Sequence, residues 1–108
     1  MKKFQLKEFI RGWFIGPFIP TLNNCSHFEC AVKKYNAGDY EERHYHKLST
    51  EYTVIASGQV RMNDVEYGPD SIIEINPLEA TDFEALTDVI TFVVKIPAVI
   101  GDKYLGEP

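Results

Sequence analysis

The sequence is short of cysteine and of positive charge, and each shortage narrows what the chain can be. It has two cysteines in 108 residues, Cys25 and Cys30. Their spacing is neither a redox C-x-x-C pair nor half of a zinc-finger pattern. Cys25-x-His27-x-x-Cys30 offers donor types for a metal, but along a strand residues 25 and 27 face one way and 30 the other. Free, partly buried thiols in a reducing compartment are therefore expected. Eleven Lys and Arg stand against sixteen Asp and Glu, for a formal net charge of −5. The basic residues cluster only at Lys2, Lys3, Lys7 and Arg11, which read as a solvated N-terminal segment and are poor material for holding a phosphate backbone. Nucleic acid is excluded as the main partner. Lys7, Glu8 and Arg11 interrupt any hydrophobic region of a secretory signal, and no apolar run approaches the ~20 residues that span a bilayer. The expectation is a soluble, cytoplasmic protein with no membrane partner, forming one domain over residues 1–108.

Long capped amphipathic helices are also missing after residue 20, so a βαβ architecture is not expected. What is present is the punctuation of an all-β chain. Residues of 44% apolar content, including one Trp, six Tyr and seven Phe, fall into short runs separated by Gly, Pro and Asn. Strands are expected over 13–19, 27–35, 43–47, 50–56, 59–67, 71–75, 80–86 and 89–96. Eight short strands at such even spacing describe a sandwich or barrel. Residues 4–11 fit a short helix or a strand equally. Two runs, 13–19 and 89–96, are apolar on both faces, and a partner subunit covering them would make the protein a homodimer.

Against this background one cluster stands out. Gly38, His44, His46, Glu51 and Gly58 sit in a single stretch of the chain. Side chains two apart on a strand share a face, so the two imidazoles can converge, with Tyr45 pointing away. A carboxylate at the head of the next apolar strand is costly unless it is paired or meets a cation. His, His and Glu together are a donor set that suits Mn, Fe, Ni or Zn.

These five residues match the pattern G-x5-H-x-H-x3,4-E-x6-G at every fixed position, and in this the chain resembles the cupin superfamily. The resemblance implies an all-β, double-stranded β-helix, the cupin jelly-roll barrel, with a pocket inside. It also implies that His44, His46 and Glu51 take three places around a divalent transition metal. The superfamily's second pattern, G-x5-P-x-G-x2-H-x3-N, has no histidine here. Asn76-Pro77-Leu-Glu-Ala-Thr81-Asp82-Phe83 stands in its place, and either Thr81 or Asp82 falls at the histidine position. Alternation puts Thr81, Phe83 and Ala85 on one face and Asp82, Glu84 and Leu86 on the other, with the first set more like a barrel lining. Asp82 remains the alternative fourth ligand.

For the remaining residues the plainer expectations hold. His27 is a satisfied or exposed histidine, and Asp39–Arg43 is a solvated approach to its strand. Lys33 and Lys95 snorkel outward, and Asp102-Lys103-Tyr104 is a surface tail on the barrel. Trp13, Phe28, Tyr35, Tyr52, Met62, Phe83 and Phe92 are candidates to line the pocket. The function expected is a metal-binding cupin that holds a small polar ligand, an organic acid or sugar derivative. It would act either as an isomerase, lyase or dioxygenase, in which Glu51 could move a proton, or as a binding module or sensor without turnover. A metal-independent sugar-nucleotide isomerase with a histidine base is the third possibility.

Overall fold

A computed structural model of the chain describes residues 1–108. Two 3-10 turns, Leu6–Glu8 and Ile10–Gly12, precede ten strands: β1 (Trp13–Ile15), β2 (Glu29–Tyr35), β3 (Tyr40–Tyr45), β4 (Thr50–Ser57), β5 (Val60–Met62), β6 (Val65–Tyr67), β7 (Ile72–Ile75), β8 (Thr81–Ala85), β9 (Val89–Ile96) and β10 (Tyr104–Leu105). All pairing is antiparallel, in one sheet ordered β1-β2-β9-β4-β7 and a second ordered β10-β3-β8-β5-β6.

The local reasons are mostly legible. β1 stops at Ile15 rather than running to residue 19, because Gly16 adopts a positive φ and Pro17 removes a ladder donor. The run 59–67 is not one strand but a hairpin, since Asn63 and Asp64 both take positive φ, as a two-residue turn requires. Segment 4–11 is neither strand nor long helix. β9, apolar on both faces, lies third in its five-stranded sheet between β2 and β4.

The register of the first sheet sets the site. Counting across β2, β9 and β4, the row Glu29–Lys95–Glu51 and the row Ala31–Val93–Thr53 alternate with Cys30–Val94–Tyr52 and Val32–Phe92–Val54. The first two rows face the second sheet and the other two face outward. Ile55, Val60, Met62, Ile75, Phe83, Ala85 and Val89 fill the space between the sheets at one end, with Tyr35, Tyr67 and Ile73 packed against them. That end is closed by apolar side chains and the other end opens as a cavity.

Candidate functional site

The cavity has a volume of about 460 Å³ and draws on both sheets. Its floor and walls include Tyr35, Thr53, Met62, Thr81, Phe83, Thr91 and Val93. Around its middle run Glu29, Lys33, Glu41, His44, His46, Glu51 and Lys95. Trp13, Ile10, Ile19 and Ile100 stand at the mouth, the three isoleucines well exposed.

His44 and His46 both face this cavity, as residues two apart along a strand do, and a β-bulge lies just before them. Register with β8 runs Glu41↔Phe83 and then His44↔Thr81, so Glu42 and Arg43 stand opposite the single residue Asp82. The bulge brings Glu41 and His44 to the same face, which strict alternation would have put on opposite faces. Tyr45 points away and stacks on Tyr104, with ring centroids 5.5 Å apart. His44 Nδ1 lies 2.8 Å from the Glu42 carbonyl oxygen. A carbonyl only accepts, so Nδ1 carries a proton, and in the neutral ring Nε2 is the acceptor. The His46 ring, 5% exposed, is 5.5 Å from that of His44. Burial, then the positive charges of Lys95 and His44, push its pKa down to about 4, so this imidazole is neutral near pH 7.

Glu51 lines the cavity and accepts a hydrogen bond of 2.8 Å from the Thr53 hydroxyl. Thr81 also lines it, but its hydroxyl donates to the Asp82 carbonyl at 2.7 Å. Asp82 is not among the cavity residues: its carboxylate accepts from the Asn63 backbone N–H at 2.8 Å, on the far face of β8. The Asp82 side chain thus points away from the cavity that His44, His46 and Glu51 line.

Three other expectations are corrected. Glu41, read as part of a solvated approach, faces the cavity, 3.1 Å from Lys33 Nζ and 3.0 Å from the Tyr35 hydroxyl. Burial raises its pKa, but the Lys33 charge and both hydrogen bonds outweigh this and hold it below the usual carboxylate range. Lys33 and Lys95, expected to point outward, line the cavity instead, because carboxylates from β3 and from within β2 meet them there. Asp102 is no surface tail. It is 4% exposed and accepts three backbone N–H groups. His27 is exposed and lies outside the cavity. Of the aromatic lining candidates, Trp13, Tyr35 and Phe83 line the cavity with Met62, whereas Phe28, Tyr52 and Phe92 do not. Cys25 and Cys30 are unpaired.

The donor chemistry of His44, His46 and Glu51 suits a transition metal, but their arrangement does not fit one. No three His, Cys, Asp or Glu side chains converge closely enough to hold an ion. Glu51 is turned onto Thr53, and Lys95, opposite Glu51 in the β4–β9 register, already brings a positive charge to the same face.

No protein-family model and no curated protein matches the sequence. Solved structures do. An uncharacterized conserved protein with a double-stranded β-helix domain from Klebsiella pneumoniae aligns at a TM-score of 0.73 with 17% identity, over 99% of this chain and 93% of that one. An RmlC-like cupin from Shewanella frigidimarina aligns at 0.64 with 14% identity, over 69% and 70%. A sugar phosphate isomerase of the cupin superfamily from Silicibacter pomeroyi aligns at 0.59 with 19% identity, over 66% of this chain and 51% of that one. The fold is the double-stranded β-helix of the cupins, as the five-residue pattern implied. No helix is long and apolar enough to cross a membrane.

Proposed function

We propose that the protein binds a small, oxygen-rich molecule, an organic acid or sugar derivative, in this cavity and moves a proton on it, as isomerases and lyases do. One observation carries the proposal: His46 is a buried imidazole held neutral inside a cavity whose middle is otherwise polar and charged. A neutral imidazole has a free ring nitrogen that can take a proton from a bound ligand, and the fold keeps that nitrogen unprotonated at pH 7. The C–H bond next to a carbonyl would break, with its proton passing to His46 and its electron pair to the carbonyl oxygen. In an α-hydroxy carbonyl, return of the proton at the former carbonyl carbon, with the hydroxyl proton passing to the former carbonyl oxygen, gives isomerisation. Departure of a β-substituent gives elimination. His44 presents Nε2 as an acceptor for a ligand hydroxyl, and Glu51 offers a second carboxylate. The likeness to a sugar phosphate isomerase is in keeping with this chemistry but rests on fold alone.

The metal-dependent version of this reading makes a different prediction, and the test separates the two. Protein purified without a histidine tag is assayed for Mn, Fe, Ni and Zn. It is then screened against organic acids and sugar derivatives in deuterated water, with NMR reporting solvent deuterium entering the ligand. Deuterium incorporation in protein free of these metals, abolished in His46→Gln, supports the proposal. A stoichiometric metal lost in a His44→Ala, His46→Ala variant overturns its metal-free form. Thermal stabilisation by a ligand with no exchange or turnover makes the protein a binding module instead.

The proposal includes a cytoplasmic setting, supported by the two unpaired thiols, and a homodimer. One outward row of the first sheet is apolar, with Val32, Phe92, Val54 and Ile72 side by side and Ile72 67% exposed. Light scattering at micromolar concentration is expected to give twice the 12.4 kDa chain mass, and the single chain mass would contradict it.

A further inference from the structure

Besides the imidazoles, Arg11 and Lys103, the cavity holds the ammonium groups of Lys95 and Lys33, which proton transfer by His46 does not require. Lys95 Nζ is 3.0 Å from Glu29 Oε1, and these side chains are 12% and 9% exposed. Lys33 Nζ is 3.1 Å from Glu41 Oε1, with side chains 22% and 29% exposed. The two ammonium groups flank one aromatic surface, lying 5.5 and 5.7 Å from the centroid of the Trp13 ring. Each ammonium has three N–H donors, and a single carboxylate oxygen cannot use them all. Taking such charges out of water is costly unless further acceptors complete their shell.

A second, independent observation concerns β9, the strand that carries Lys95. Thr91 faces the cavity from β9, opposite Lys33 and four residues from Lys95. It is 1% exposed, and its hydroxyl has no hydrogen-bond partner. A buried hydroxyl left in this state is unfavourable, because nothing replaces the water it has lost. Two incompletely used ammonium groups and an orphan hydroxyl on one wall describe a surface shaped for several oxygens.

We infer that Lys95 is the resident cation of this site, and that Lys95 and Lys33 together take the carboxylates of an organic acid while the Thr91 hydroxyl takes a further ligand oxygen. The inference rests on the cavity being a small-molecule site, as proposed above, and it narrows the ligand to an acid. It also accounts for the failure of His44, His46 and Glu51 to assemble around an ion. A divalent cation brought beside Glu51 would meet the Lys95 charge from the next strand.

The test is isothermal titration of the full chain with a panel of two- to six-carbon mono- and dicarboxylic hydroxy acids, with the neutral polyols of the same lengths, and with Zn²⁺. At least one acid is expected to bind at least tenfold more tightly than its polyol. Lys95→Gln alone would strand Glu29 as a buried charge, so the informative variant is Glu29→Gln with Lys95→Gln. It keeps a hydrogen-bonding pair and leaves the net charge unchanged. This double variant is expected to lose at least tenfold in acid affinity while polyol binding holds. Acid affinity that survives the double variant overturns the inference, as does stoichiometric Zn²⁺ uptake that disappears in His44→Ala. Polyols binding as tightly as acids would overturn the acid assignment and leave the small-molecule site standing. No binding by either class would take down both.

Discussion

Asp102 ties down the turn that follows His46. Its Oδ1 accepts the Lys47 N–H and its Oδ2 the Leu48 and Ser49 N–H groups, each at 3.0 Å. The turn between β3 and β4 is thus fixed by one carboxylate from more than fifty residues away, and with it the spacing between His46 and Glu51. Burial raises the Asp102 pKa, but the three N–H donors and the nearby His46 bring it below the ordinary value. Asp102→Ala leaves three inward N–H groups without an acceptor and is expected to cost about 3 kcal/mol in chemical denaturation. Amide exchange at residues 47–49 should accelerate with it. Since the folded pKa lies below the unfolded one, the carboxylate contributes in full above the usual carboxylate range, and this contribution fades as pH falls through the depressed value. Unchanged exchange at these amides in the variant would contradict the assignment.

His46 gives a pH signature of its own. Its folded pKa of about 4 lies below the roughly 6.5 of an unfolded histidine. Between those values the unfolded chain binds a proton that the folded protein does not. Stability therefore falls as pH drops from about 6.5 toward 4, by an amount on the order of 3 kcal/mol, and is complete above 6.5. Urea melts across this window should show the slope in the parent protein and a flatter profile in His46→Gln. Equal slopes would mean that the imidazole is not held neutral by the fold.

The two glycines of the five-residue pattern predict different costs. Gly38 and Gly58 both have φ near +90°, a region that L side chains rarely adopt. A Cβ at Gly38 would meet nothing within 4 Å, whereas one at Gly58 would lie 2.2 Å from the Asp88 carbonyl oxygen. Gly38→Ala should therefore cost about 1 kcal/mol from backbone strain alone. Gly58→Ala should cost clearly more, because the β4–β5 and β8–β9 turns must part. Thermal melts of the two variants check the order, and equal losses would contradict it.

Phe83 tests the closed end. It is 4% exposed within the apolar cluster, with its ring 4.6 Å from that of Tyr35. Phe83→Ala is expected to destabilise by about 3–5 kcal/mol. It should also enlarge the cavity floor, so that any bound acid loses affinity. A loss below about 1 kcal/mol, close to what a surface substitution costs, would show that this end is not close-packed.

Much of the sheet architecture could be read from alternation and punctuation. Val89–Ile96 reads as a central strand because both of its faces are apolar, and it is one. Periodicity also places Thr81 and Phe83 together on the cavity face of β8. What alternation could not supply was the face of Glu41. A bulge between Glu41 and His44 shifts the parity of β3, and nothing in Glu-Glu-Arg announces it. The inward placement of Lys33 and Lys95 is hidden from the sequence for a different reason. Their inward orientation depends on Glu41 and Glu29, and the Lys33–Glu41 and Lys95–Glu29 pairings are set by tertiary register rather than local sequence. Asp102 was read as surface because its three partners lie in a distant turn. The residues that complete the polar middle of the cavity are thus the ones whose placement only long-range pairing determines.

Trp13 is the only tryptophan in the chain, and it lines the cavity mouth beside both ammonium groups. Its emission therefore reports directly on whether ligands enter. Titration with the organic acids that raise the melting temperature is predicted to change Trp13 fluorescence saturably, with the change lost when His44 and His46 are both replaced by alanine. If such stabilising ligands leave the emission of Trp13 unmoved, they bind elsewhere, and this cavity is not where the protein works.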